Sequence, residues 1–251
     1  MDITLKRLIV GYLPTNCYIV LCNKTSEAMV IDPGIKDGEE KKIFNVIEKS
    51  KSCLRYIVNT HGHPDHTSGN RALKEHTHAD ILIHSQDAPL LTNPLLDVEG
   101  SQTLNTPQRC PICGKHEAMR FNVSDKKAST LSGCGVVIME ADLSPPADQL
   151  LADGDVVTLG QVEFDVIHTP GHTGGGISLY SAPENILFTG DTLFAGSYGR
   201  TDLASSSEED MKRSLSKLIQ LPSVTVVYPG HGPETTIQLE KESNIYLQDL
   251  I

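Results

Sequence analysis

His61-Gly62-His63-Pro64-Asp65-His66 packs three imidazoles and a carboxylate into six residues, directly after the apolar run Tyr56-Ile57-Val58. Side chains alternate along extended chain, so a strand ending there sends His61 and His63 the same way. Asp65 and His66 follow on the next turn of chain, where they face a neighbouring position. One short loop can therefore supply ligands to two adjacent metal ions, and four metal-type ligands at this spacing form a specific pattern. The plain alternative is a polar surface loop with clustered histidines.

Three more ligand types sit in glycine turns after apolar runs. His172 lies in Thr169-Pro170-Gly171-His172-Thr173, after Phe164-Asp165-Val166-Ile167. Asp191 lies in Thr189-Gly190-Asp191-Thr192, after Ile186-Leu187-Phe188, and His231 in Pro229-Gly230-His231-Gly232, after Val224-Thr225-Val226-Val227-Tyr228. The order is always strand, glycine turn, ligand. Glycine permits the sharp turn, and ligands at strand ends are held by sheets, which suits a rigid site. A single histidine after a strand is usually structural; the four segments together predict a metal centre.

The rest of the composition bounds the function. A hydrophobic share of 39% and a charged share of 21% describe a globular chain. No apolar run approaches the roughly 18 residues of a membrane span, and Met1-Asp2-Ile3-Thr4-Leu5-Lys6-Arg7 lacks a signal-peptide core. A cytoplasmic enzyme that does not engage membranes is expected. The net charge of −11 disfavours nucleic acid as a partner, because phosphate binding needs a basic surface. The 251 residues suffice for two average domains or one large α/β domain.

Strand-like segments are Leu5–Val10, Cys17–Leu21, Met29–Ile31, Arg55–Val58, Ile81–His84, Val162–Ile167, Ile177–Tyr180, Ile186–Phe188 and Val224–Val227. Helical periodicity covers Glu39–Lys49, Ser68–His76 and Glu208–Leu221. Ser206 followed by Glu209 reads as a capping box for the last of these. Strands and helices mixed on this scale predict an α/β or α+β layered fold.

These motifs resemble those of the metallo-β-lactamase superfamily. The matching stretches are His61–His66, Thr169–Thr173, Phe188-Thr189-Gly190-Asp191-Thr192-Leu193-Phe194, Gly199-Arg200-Thr201-Asp202 and Tyr228-Pro229-Gly230-His231-Gly232-Pro233. Within the superfamily the chain is similar to glyoxalase II-like hydrolases, which Asn16-Cys17-Tyr18 and Ile31-Asp32-Pro33-Gly34 also match. The resemblance runs from about residue 8 to residue 247 and implies an αββα sandwich over residues 1–251. It implies that His61, His63 and His172 bind a first metal, that Asp65, His66 and His231 bind a second, and that Asp191 bridges both with a water or hydroxide. Ligands of this kind without thiolate suit zinc first, with iron or manganese as alternatives. Two divalent ions against Asp65, Asp191 and a hydroxide leave about one positive charge, so the centre holds hydroxide at neutral pH and polarises a carbonyl. His168 could orient a ligand, although a structural histidine is the simpler reading.

Residues 97–146 interrupt the resemblance. Cys110-Pro111-Ile112-Cys113-Gly114-Lys115 resembles a rubredoxin or zinc-ribbon knuckle. Leu131-Ser132-Gly133-Cys134-Gly135 looks like a second knuckle whose first cysteine has become Leu131, at the spacing such ribbons use. Cys110, Cys113 and Cys134 are thus candidate ligands of a further structural zinc, with His116 or an acidic side chain as the fourth. A metal-free ribbon or a disulfide is the alternative. Cys17, Cys22 and Cys53 lie in or beside apolar segments and read as inert thiols.

For function, the expected reaction is hydrolysis of a small-molecule thioester, of hydroxyacyl type, by a metal-bound hydroxide, with Asp65 and Asp191 as the catalytic carboxylates and Arg200 as a candidate for a substrate carboxylate. The alternatives are a mononuclear-iron persulfide dioxygenase using His61, His172 and Asp191, and a non-catalytic metal-binding or docking module. Glyoxalase II continues into a helical region with basic glutathione-binding residues. Only 20 residues follow His231 here, so glutathione is not assumed.

Overall fold

The computed structural model of the chain describes residues 2–250, apart from 98–107, 110–115, 123–126 and 132–136. The first half runs β1 (Ile3–Val10), β2 (Thr15–Cys22), β3 (Glu27–Ile31), α1 (Glu40–Ser50), β4 (Cys53–Val58), α2 (Pro64–Thr67), α3 (Asn70–Thr77), β5 (Asp80–His84) and α4 (Ala88–Thr92). Within the interruption, β6 (Gln108–Arg109), β7 (His116–Asn122), β8 (Lys127–Leu131) and β9 (Val137–Asp142) form an antiparallel sheet. Cys110, Cys113 and Cys134 lie outside the described residues. The second half runs β10 (Gln149–Leu151), β11 (Val156–Leu159), β12 (Val162–His168), β13 (Ile177–Ser181), β14 (Ile186–Gly190), β15 (Leu193–Phe194), β16 (Ser197–Tyr198), α5 (Glu208–Leu218), β17 (Val226–Pro229), β18 (Thr235–Thr236) and α6 (Ile237–Ser243).

Two six-stranded sheets carry the fold, in the orders β1-β2-β3-β4-β5-β10 and β11-β12-β13-β14-β17-β18. The alternation of side chains explains their stacking. On β2, Tyr18, Val20 and Cys22 face one cluster, with Val58, Phe164, Leu179 and Phe188 from both sheets. The intervening Cys17, Ile19 and Leu21 face another, with Ile43 and Ile47 of α1 and Leu73 of α3. Leu187 of β14 likewise turns outward to Met211, Leu215 and Leu218 of α5. Strands buried on both faces read as continuous apolar runs, as β2 does. The result is helix, sheet, sheet, helix, the layering expected from the resemblance. Among the described residues no helix is long and apolar enough to cross a membrane.

Two local expectations are corrected. The helix expected over Ser68–His76 is α3, Asn70–Thr77, but a separate helical turn, α2, precedes it from Pro64, because proline is pre-set for the first helical position and needs no hydrogen-bond partner there. Asp65 and His66 are thus carried on a helical turn. The cap of α5 is Ser207, whose hydroxyl accepts from the Asp210 amide, rather than Ser206 with Glu209. Ser206 is otherwise engaged: its hydroxyl donates to the His172 carbonyl at 2.9 Å.

Candidate metal centre

Strand direction brings the four ligand segments together. Strands β3, β4 and β5 run parallel, so the turns after them emerge at one edge. In the second sheet β12 and β14 are each antiparallel to β13, and β17 is parallel to β14. The turns carrying His172, Asp191 and His231 therefore also share an edge. The two edges meet, and the ligand atoms of His61, His63 and His172, of His61, His66 and Asp191, and of Asp65, His66 and His231 form three groups, each within 4.8 Å.

The inner nitrogens nearly touch. His63 Nδ1 lies 3.0 Å from His172 Nε2, and His66 Nε2 lies 3.2 Å from His231 Nε2. Asp191 sits between the groups, with Oδ1 3.5 Å from His66 Nε2 and Oδ2 3.5 Å from His172 Nε2 and 3.6 Å from His231 Nε2. Asp65 Oδ2 is 3.3 Å from His231 Nε2 and 3.5 Å from His66 Nε2. Two ligands about 2.0–2.1 Å from one tetrahedral ion stand about 3.3 Å apart, and the observed separations bracket that value.

The outer nitrogens explain why the inner ones are available. His63 Nε2 pairs with Asp97 Oδ2 at 2.6 Å and His66 Nδ1 with Asp32 Oδ2 at 2.9 Å. His172 Nδ1 donates to the Arg200 carbonyl at 2.9 Å, and His231 Nδ1 to the Pro14 carbonyl at 3.0 Å. With the outer nitrogen protonated in each ring, the inner one presents a lone pair. Facing lone pairs 3.0–3.2 Å apart repel unless a proton or a metal ion lies between them. Among the described residues, His61 Nε2 and Asp191 Oδ1 are buried with no hydrogen-bond partner, and buried polar atoms are seldom left so. The donor set fits a metal.

The sequence family agrees with this geometry. The model of the metallo-beta-lactamase superfamily matches residues 10–231. The chain belongs to the metallo-beta-lactamase superfamily. A protein of Aquifex aeolicus is 34% identical over 248 residues, covering 98% of both chains. Hydroxyacylglutathione hydrolase GloC of Haemophilus influenzae is 28% identical over 233 residues, 92% of each. Among solved structures, the BLEG-1 B3 metallo-beta-lactamase superposes with a TM-score of 0.74 at 29% identity, covering 97% of this chain and 99% of that one. TTHA1623, solved in a di-iron-bound form, gives 0.72 at 27% identity over 96% and 100%.

Electrostatics tune this superfamily site. Burial opposes a charge on His66, yet Asp65, Asp191 and Asp32 outweigh it and push the imidazole up to about 10. The carboxylates that hold a proton there would equally hold a cation. Burial, reinforced by the neighbouring imidazoles of His66, His63 and His172, drives His61 well below its ordinary range. Burial would raise Asp65, but His66 and His231 overcome it and hold the carboxyl well below the usual range.

Several residues to which the sequence assigned no site role position the centre. Asp87 is buried and accepts from the Gly62 amide at 2.9 Å, the Thr173 hydroxyl at 2.7 Å and the Gly175 amide at 2.7 Å. It thereby ties the His61–His66 loop to the His172 loop. Asp32, with φ of 51°, adopts the left-handed region and binds the Thr60 amide and hydroxyl as well as His66. Asn16 holds the His231 turn through the carbonyls of Pro229, Gly230 and Gly232, and Tyr18 donates to Pro229 as well. Gly230 is required because a Cβ there would run into Asp191 Oδ1 and His66. The other expected residues fall as follows. Arg200 is exposed and clasps Asp202 through two hydrogen bonds, while its carbonyl orients His172. His168 stacks on His84 with ring centres 4.2 Å apart and donates to the Gly174 carbonyl, a structural role in the His172 loop.

Proposed function

We propose that the chain is a metal-dependent hydrolase that cleaves small acyl thioesters, including hydroxyacyl thioesters, with water as the nucleophile. The observation that carries this reading is the pair of ligand groups, His61/His63/His172 and Asp65/His66/His231, with Asp191 within 3.6 Å of nitrogens in both. Two divalent ions there, zinc or iron, supply water activation and carbonyl polarisation. The similarity to GloC supports the thioester class.

The chain's own residues set the terms of the reaction. Asp191 spans the two groups and offsets charge at both. Asp65 is held ionised by its histidine neighbours, which suits a ligand and leaves it a weak base. The described thiols are poorly placed as nucleophiles: Cys17 and Cys22 are buried, with burial pushing the Cys17 thiol up, and Cys53 opens β4 at the end opposite His61. A thiolate leaves without needing a proton, whereas an amide nitrogen must be protonated. The imidazoles at the centre all have their outer nitrogens engaged, so they serve as ligands rather than acids. Arg200 is the group proposed for a substrate carboxylate. Its partner Asp202 is exposed, and an ion pair between solvent-exposed side chains is weak and screened, so a substrate anion can displace it. Cys110, Cys113 and Cys134 are proposed to hold a separate structural zinc, and the enzyme to act in the cytoplasm.

The test is thiol release from a panel of acyl thioesters, set beside oxygen uptake with glutathione persulfide. Release by the metal-loaded protein, abolished in Asp191→Ala together with metal content while the fold persists, is expected. Oxygen uptake with one iron per chain, and no thiol release, refutes the hydrolase in favour of a dioxygenase. Two metals bound with neither activity points to a docking module.

A further inference from the structure

His63 lies between Gly62 and Pro64, at the N-cap position of the four-residue α2. The ring packs edge-on against those of His61 and His172, and its outer nitrogen, Nε2, lies 2.6 Å from Asp97 Oδ2. The Asp97 side chain is 2% exposed. Its second oxygen, Oδ1, accepts from the Ser205 amide at 2.6 Å. Ser205 precedes Ser206, whose hydroxyl binds the His172 carbonyl, and Ser207, whose amide donates to the Gly171 carbonyl at 2.8 Å. One buried carboxylate thus reaches two ligands of the same group, His63 through its ring and His172 through its backbone.

We infer that Asp97 is a positioning residue of the His61/His63/His172 group, keeping the His63 ring with Nδ1 turned inward and holding the 203–207 segment against His172. The inference rests on the reading of this cluster as a metal centre. An imidazole that donates its outer N–H to a carboxylate is locked in one tautomer and is a more basic ligand. Asp32 makes the corresponding contact with His66 at 2.9 Å, so each group has its own carboxylate. Asp97 serves one group only, and its removal therefore acts unequally on the two.

The experiment is a competition titration of zinc against a chromophoric chelator, on wild-type protein, Asp97→Asn and Asp97→Ala. A nitrogen-15 spectrum of the histidine rings in the metal-free proteins accompanies it. Wild type is expected to take two ions at the main centre. Asp97→Ala loosens one of them by about 10–100-fold and leaves the other near wild type, while the His63 ring becomes a mixture of tautomers. Asp97→Asn keeps an acceptor but loses the charge, and falls between. Two ions bound by Asp97→Ala as tightly as by wild type overturn the inference. So does equal weakening of both ions with a lowered melting temperature of the metal-free protein, which marks a purely structural role. A wild-type chain that takes no ion at the cluster removes the metal-centre reading itself, and this inference with it.

Discussion

Asp87 offers the sharpest test of how the centre is held. It is 1% exposed, and among the described residues no basic group pairs with it: its carboxylate accepts from two backbone amides and one hydroxyl, of Gly62, Gly175 and Thr173. Hydrogen bonds to a charged acceptor contribute about 1.5 kcal/mol or more each. Losing all three in Asp87→Ala should cost about 4–5 kcal/mol, less whatever water regains in the space opened. Asp87→Asn can keep Oδ2, which serves Gly62 and Thr173, but then aims an NH2 group at the Gly175 N–H. One bond is lost and two donors face each other, a cost of about 2 kcal/mol. For a chain of this size each kcal/mol moves the melting temperature by about 2–4 °C. The alanine variant should therefore melt about 10–15 °C lower and the asparagine variant about 5 °C lower. Urea and thermal melts of chelator-treated protein read these values without the contribution of bound metal. A loss below about 1 kcal/mol for alanine, or an asparagine variant as damaged as alanine, refutes the clamp.

Three further outcomes are expected. With its pKa up to about 10 in the folded chain against about 6.5 unfolded, His66 stabilises the metal-free protein fully below about pH 6.5, and this is lost as pH rises toward 10. The same proton must leave when metal binds, so calorimetry at pH 8 in buffers of different ionisation enthalpy should show proton release, and buffer-independent heats refute it. Ser207→Ala removes the cap of α5 and should cost about 1 kcal/mol in urea melts, whereas an unchanged midpoint counts against the cap. Cys113→Ser should lower zinc content by one ion per chain while main-centre metal stays, and unchanged content in elemental analysis defeats the knuckle.

The cluster of candidate ligands was legible because it is written locally: His61 through His66 sit in one hexapeptide, and His172, Asp191 and His231 each follow a strand and a glycine. The layering was legible from periodicity only as far as a mixed fold. Asp32, Asp87 and Asp97 were not legible as site residues. They contact His66, Gly62 and His63 across 34, 25 and 34 positions of sequence, and an aspartate after a strand looks the same whether it caps a turn or orients an imidazole. The Ser206–Ser207 ambiguity has a similar origin. Two adjacent serines each precede an acidic residue by three positions, and only the path of the chain past His172 decides which hydroxyl reaches the helix.

The convergence of two strand edges has a consequence for assembly. The chain before the interruption contributes His61, His63, Asp65 and His66 from one sheet, and the chain after it contributes His172, Asp191 and His231 from the other. Neither half alone offers a complete set, so an ion bound at the seam acts as a rivet between two leaves of the sandwich. Its grip adds to their docking by mass action, about 2.7 kcal/mol when free metal stands at a hundred times the dissociation constant. On the proposed reading, metal supply governs how firmly the two leaves stay closed as well as whether the chain can turn over.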